Sequence, residues 1–276
     1  MKTLYIKITD QCNMNCPFCY IKKGNNIVSI EKIKEIYNKF KPKCIRLHGG
    51  EPLLYPNLCL EIINTFNNVE YSITSNLTLP ISKERQKVIE KCDLSTSYSI
   101  DRFSNNNYFD IFLRNVIDIS KYKDITLLVT LSRDQLKQSP KDLCNILENI
   151  PCKYIAFERL YEDNYDQLLA KQTDEYLKQI MDLIPKEKNV LLNEINQSLY
   201  AHIPLFCDTC KKDILTINAD NTIQICPNLS DEKITKKRRK QCLSCNLFEY
   251  CKEDCLSFKN GCMFPKETFL YIKNGE

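Results

Sequence analysis

"TDQCNMNCPFCY", residues 9–20, separates Cys12, Cys16 and Cys19 by three and then by two residues, directly after the strand-like run "LYIKI" (4–8). Three thiols on one short loop cannot pair off into disulfides without stranding one. They are also one ligand short of a closed four-thiolate metal site. Two readings follow from the residues. One is a zinc loop completed from elsewhere in the chain. The other is a cubane iron–sulfur cluster with one iron left open to a small molecule such as a bidentate amino-carboxylate. Either way, a strand that ends in a ligand-bearing loop reads as the first unit of a β/α series.

Working outward, five more segments read as strands: "CIRLH" (44–48), "VEYSIT" (69–74), "LSTSYSI" (94–100), "ITLLVTL" (125–131) and "KYIAFERL" (153–160). All are short and rich in β-branched and aromatic residues. Helical spacing separates them. "SIEKIKEIYNKF" opens on Ser29 as an N-cap and sets Ile30, Ile33, Ile36 and Tyr37 on one face. "NYFDIFLRNVIDISKY", "PKDLCNILENI" and "DEYLKQIMDLI" repeat the pattern. Six strands alternating with helices predict an α/β fold of parallel units. About 200 residues is short of the ~250 of a complete eight-unit barrel, so a partial (β/α)6 TIM-like barrel is expected. Beyond it, "DILTINADNTIQI" (213–225) alternates like a hairpin around a turn, and the remainder is cysteine-studded and poor in apolar runs. The boundary is placed near residue 200, giving a core over 1–200 and a small cysteine-rich cluster-binding domain over 201–276.

The 276 residues carry 43% hydrophobic and 27% charged side chains with a net charge of +4, a globular composition with no reason to expect nucleic-acid binding. The basic run "KKRRK" (236–240) reads as a solvated loop face rather than a dock for an acidic partner. No apolar h-region opens the chain and no stretch approaches ~20 apolar residues, so a cytoplasmic protein without a membrane segment is expected. There, sixteen cysteines and only two histidines, His48 and His202, point to thiolate metal sites rather than disulfides. Cys44, Cys59, Cys92, Cys144 and Cys152 stand singly in apolar contexts and read as buried structural thiols.

The spacing C-x3-C-x2-C, with Phe18 before and Tyr20 after the third cysteine, resembles the radical S-adenosylmethionine (SAM) superfamily. "LHGGEPLLYP" (47–56) supports the resemblance: Gly49 and Gly50 allow close backbone approach, and Glu51 offers a carboxylate to an ammonium. The segment is similar to the family's GGE motif, which contacts the amino group of the bound methionine moiety. Weaker echoes are Ser75 and Asn76 in "ITSNLT", Ser99 in "YSIDRF" and Arg114 in "FLRNV". Relatives place these positions near the cofactor or its carboxylate. Ligands bind at the C-terminal ends of barrel strands, which gives polar residues there a physical reason.

The last eight cysteines run Cys207-x2-Cys210-x15-Cys226, then Cys242-x2-Cys245-x5-Cys251-x3-Cys255, then Cys262. As residues alone they make two four-thiolate sites, of zinc or of iron–sulfur. The pattern resembles the SPASM domain of peptide-modifying radical SAM enzymes. That resemblance implies one auxiliary cluster on Cys207, Cys210, Cys226 and Cys255 and another on Cys242, Cys245, Cys251 and Cys262. One departure is Asn221, where the family has Gly; Asn also tolerates left-handed turn geometry.

Taken together, the resemblance implies three [4Fe–4S] clusters and reductive cleavage of SAM to a 5′-deoxyadenosyl radical. It also implies oxidative modification of a peptide or protein side chain, such as crosslinking in a ribosomal peptide natural product, with the auxiliary clusters as electron acceptors. An electron donor such as flavodoxin or ferredoxin is implied. With no room before the first strand for a recognition domain, a separate peptide-recognition protein or the barrel mouth itself is expected to select the substrate. Formylglycine maturation of a sulfatase is the alternative, but Pro227 follows Cys226 where those enzymes carry an aspartate base. A zinc-binding scaffold without radical chemistry is the alternative of another class.

Overall fold

The computed structural model describes residues 3–103, 108–159, 167–184, 189–191 and 214–224. Seven strands run in sequence order: β1 (Thr3–Lys7), β2 (Cys44–His48), β3 (Glu70–Ser75), β4 (Asp93–Tyr98), β5 (Ile125–Leu131), β6 (Tyr154–Arg159) and β7 (Asn189–Leu191). Each is parallel to its predecessor. The helices between them are α1 (Ile30–Phe40), α2 (Pro56–Thr65), α3 (Lys83–Lys91), the short α4 (Ile100–Phe103), α5 (Tyr108–Ser120), α6 (Pro140–Glu148) and α7 (Gln167–Leu183). A final hairpin, β8 (Ile214–Ile217) and β9 (Ile223–Gln224), closes the order β7-β6-β5-β4-β3-β2-β1-β8-β9.

Alternation along the strands explains the layering. Leu4, Ile6, Ile45 and Leu47 are fully buried and join Ile33 and Ile36 of α1 in one core. Burying each such side chain contributes roughly 1.5–3 kcal/mol. Their neighbours Tyr5, Lys7, Arg46 and His48 occupy the opposite face, half-buried or exposed. Helices on one face and a polar inner face make the partial β/α barrel expected from the sequence.

Serine caps start three of the helices. Ser29 accepts from the Lys32 amide at 3.1 Å, Ser82 from Arg85 at 3.3 Å and Ser139 from Asp142 at 3.1 Å. Lys41, left-handed at φ 45°, ends α1 by donating its amide to the Tyr37 carbonyl.

Three features differ from expectation. The sheet has a seventh parallel strand, β7, three residues long. The hairpin over 214–224 is present, but it also joins the main sheet, with β8 parallel to β1. Of the five single cysteines, Cys59, Cys92 and Cys144 are buried, whereas Cys44 and Cys152 are only partly so. Cys44 opens β2 and Cys152 precedes β6, positions at the strand-entry rim where the core thins. The boundary near residue 200 and all eight cysteines from Cys207 to Cys262 lie outside the described residues. Among the described residues no helix is long and apolar enough to cross a membrane.

Candidate functional site

Two loops leave the C-terminal ends of β1 and β2 and lock together. The amide of Gly50 donates to the Thr9 carbonyl at 2.7 Å, and that of Glu51 to Gln11 at 2.8 Å. Gly49 sits at φ 134°, a region essentially closed to other residues, and a Cβ there would stand 2.5 Å from the Thr9 oxygen. At Gly50 a Cβ would stand 1.9 Å from the Gln11 oxygen. The close approach these glycines permit is therefore to the backbone leading into Cys12.

Glu51 is 1% exposed. Its carboxylate accepts from the Leu53 amide at 3.0 Å, the Ser75 hydroxyl at 2.8 Å and the Asn76 amide at 2.7 Å. Burial pushes its pKa up, while these donors and nearby Arg102 act the other way. In the structure this carboxylate ties the β2 loop to the tip of β3.

That tip braces the cysteine loop. Asn76 Nδ2 donates to Asn13 Oδ1 at 2.9 Å and lies 3.7 Å from Cys12 Sγ. Its Oδ1 accepts from the Thr78 amide and hydroxyl, and Asn13 Nδ2 donates to Thr78 Oγ1 at 2.8 Å. Buried Leu77 is left-handed at φ 51°. Asn115 of α5 fixes it there, donating to the Leu77 and Leu79 carbonyls at 2.8 and 2.9 Å.

The structure thus brings Gly49, Gly50, Glu51, Ser75 and Asn76 together behind the loop. Ser99 is fully buried, its hydroxyl accepting from the Arg102 amide at the start of α4. Arg114 is not gathered in; it is exposed on α5, and its neighbour Asn115 makes the inward contact. Tyr20 is 39% exposed and stacks on His48, with ring centroids 6.5 Å apart.

His48 was not singled out from the sequence. It faces Lys7 across the β1–β2 register. Its Nδ1 accepts from the Gly49 amide at 2.8 Å, which leaves the proton on Nε2. Burial, then the charges of Lys7, Arg46 and Arg102, push its pKa down to about 4. The alternation in "YIK" and "RLH", polar at every second residue, was the signal for this inner face.

Cys12 is half-buried and its sulfur accepts from the Met14 amide at 3.4 Å. Cys16 is half-buried and Cys19 exposed, the Cys19 amide donating to the Cys16 carbonyl at 3.1 Å. Among the described residues no three His, Cys, Asp or Glu side chains converge on a single-ion site. A cubane asks each thiolate for a different iron, and three cysteine thiols on one braced loop are a donor set of that chemistry. Burial raises the Cys12 thiol pKa, and bound iron would hold it as thiolate.

Residues 6–129 match the family described as Radical SAM superfamily. The match covers a little under half of the chain; the protein is an enzyme, and a domain of this kind implies SAM and one [4Fe–4S] cluster. In the same fold, Streptococcus suis SuiB superposes with a TM-score of 0.65 at 15% identity, covering 95% of this chain and 76% of its own. SuiB bound to its precursor peptide SuiA gives 0.63, covering 94% and 73%. An uncharacterised protein of Methanocaldococcus jannaschii is 27% identical, covering 83% of this chain and 86% of its own length. GTP 3′,8-cyclase of Staphylococcus epidermidis is 29% identical over 42% of this chain and 38% of the cyclase.

Proposed function

We propose that this enzyme oxidatively modifies a side chain of a ribosomally made peptide or a protein. In this reading Cys12, Cys16 and Cys19 hold the SAM-binding [4Fe–4S] cluster. Two auxiliary clusters take Cys207, Cys210, Cys226 and Cys255, and Cys242, Cys245, Cys251 and Cys262. The observation that carries the reading is the cysteine loop braced from behind by the Gly49–Glu51 backbone and by Asn76, with Cys19 left exposed. Once reduced by one electron, the SAM-binding cluster would pass the electron to bound SAM, which would break into methionine and a 5′-deoxyadenosyl radical.

The chain's own residues hold and shape the site. Glu51, Ser75, Asn76 and Asn115 fix the loop, and Tyr20 and His48 line the adjoining inner face. The likeness to SuiB and the eight C-terminal cysteines support a peptide substrate, and partial alignment with the cyclases supports only the shared core. Flavodoxin or ferredoxin would supply the electron, in the cytoplasm, and a separate recognition protein or the barrel mouth would present the peptide.

Replacing Cys12, Cys16 and Cys19 by Ala should abolish reductant-dependent 5′-deoxyadenosine release; undiminished release would remove the loop from this role. A short peptide encoded beside the gene should lose mass when incubated with reduced enzyme and SAM. Consumption of GTP in its place would overturn the peptide assignment.

A further inference from the structure

The cysteine loop has two feet, and the second is held by the far end of the chain. Its exit arm returns as Asn26–Val28 alongside Ile8–Asp10. The Val28 amide donates to the Ile8 carbonyl at 3.0 Å, and the Thr9 hydroxyl to the Asn26 carbonyl at 2.8 Å. The Asp10 carboxylate accepts from the Asn26 amide and side chain at 2.8 and 2.6 Å. The arm then enters α1 at Ser29. Above it sits the β8–β9 turn, already closed by its own bonds. The Asn221 amide donates to the Asn218 carbonyl, and Asp220 accepts from the Thr222 amide and hydroxyl. None of these bonds uses the Asn221 side chain. With the backbone left-handed at φ 67°, its Oδ1 accepts from the Ser29 amide at 2.8 Å, 192 residues away in sequence.

A glycine would supply the left-handed turn but not this bond. We infer that Asn221 is a positioning residue. It pins the exit arm of the cysteine loop to the C-terminal hairpin, so that the loop's hold on SAM depends on the hairpin being docked. The inference rests on the radical SAM reading of the loop.

The test uses the reconstituted holoenzyme and two variants. Asn221→Gly keeps the turn and deletes the acceptor; Asn221→Asp keeps both. Hydrogen exchange at the Ser29 amide should quicken roughly three- to tenfold in Asn221→Gly, as loss of one net hydrogen bond implies. The dissociation constant for SAM should rise by a similar factor, and Asn221→Asp should restore both. Unchanged Ser29 exchange in the glycine variant would overturn the inference, and so would faster exchange with unaltered SAM binding. Failure of the unmodified holoenzyme to bind SAM would instead overturn the underlying reading, with Ser29 exchange still reporting the bond.

Discussion

Gly50 stands so close to the cysteine loop that an added Cβ meets carbonyl backbone, the Gln11 oxygen, rather than a side-chain tip that could swing away. Gly50→Ala should therefore displace the loop before it disturbs the sheet. The variant should fold but lose most of the iron bound at Cys12, Cys16 and Cys19, as read by iron and sulfide content after reconstitution. The glycines were legible as a point of close approach. What they approach was not, because sequence spacing carries no information on which loop folds against which.

A second residue-scale outcome concerns pH. His48 titrates near 6.5 unfolded and about 4 folded, so the folded state binds fewer protons between those values. The stability it contributes is full above about pH 6.5 and is lost as pH falls through the folded value. The shift caps this at about 3 kcal/mol, and the ring's partial exposure lowers it. His48→Asn leaves an oxygen to accept from the Gly49 amide. Urea denaturation across this range should show a shallower fall in stability for the variant than for the unmodified protein.

At the scale of elements, the serine caps set where helices begin. Ser29→Ala removes the side-chain acceptor for the Lys32 amide and should cost about 1 kcal/mol in denaturant unfolding. It leaves the Ser29 backbone amide free to keep its bond to Asn221. The strands "CIRLH" and "ITLLVTL" match β2 and β5 residue for residue, because each is a short segment with buried apolar positions bounded by turn-forming residues. The strand drawn over 94–100 stops at Tyr98, since Ser99 accepts from the Arg102 amide and turns the chain into α4. Strand β7 was missed: three residues beside "KEK" present no period to count, and pairing with β6 alone makes them a strand. On α5 the family resemblance drew attention to Arg114. The buried amide of Asn115 does the structural work, and replacing it with Ala should cost about 1–3 kcal/mol by orphaning two carbonyls. Asn221 was legible as a left-handed position, and its φ of 67° agrees. Its side-chain bond to Ser29 was not legible, for the same reason as the glycines.

For the whole molecule, the proposed cluster inventory gives a count. Anaerobic reconstitution should bind about twelve irons per chain, and the Cys12, Cys16, Cys19 triple alanine variant about eight. A limit of four in the unmodified protein would leave the C-terminal cysteines without clusters. The order of the sheet also has a consequence in time. Thr3 pairs on one side with Cys44 and on the other with Ile214, which emerges from the ribosome much later than Cys44. Until then one edge of the first strand is bare and the exit arm beside Ser29 has no cover. A nascent chain on the ribosome therefore passes through a long interval in which Cys12, Cys16 and Cys19 stand on a half-built wall. On the proposed reading that interval is a window for delivering iron to them, and it carries a hazard of edge-to-edge aggregation that ends with the arrival of the hairpin.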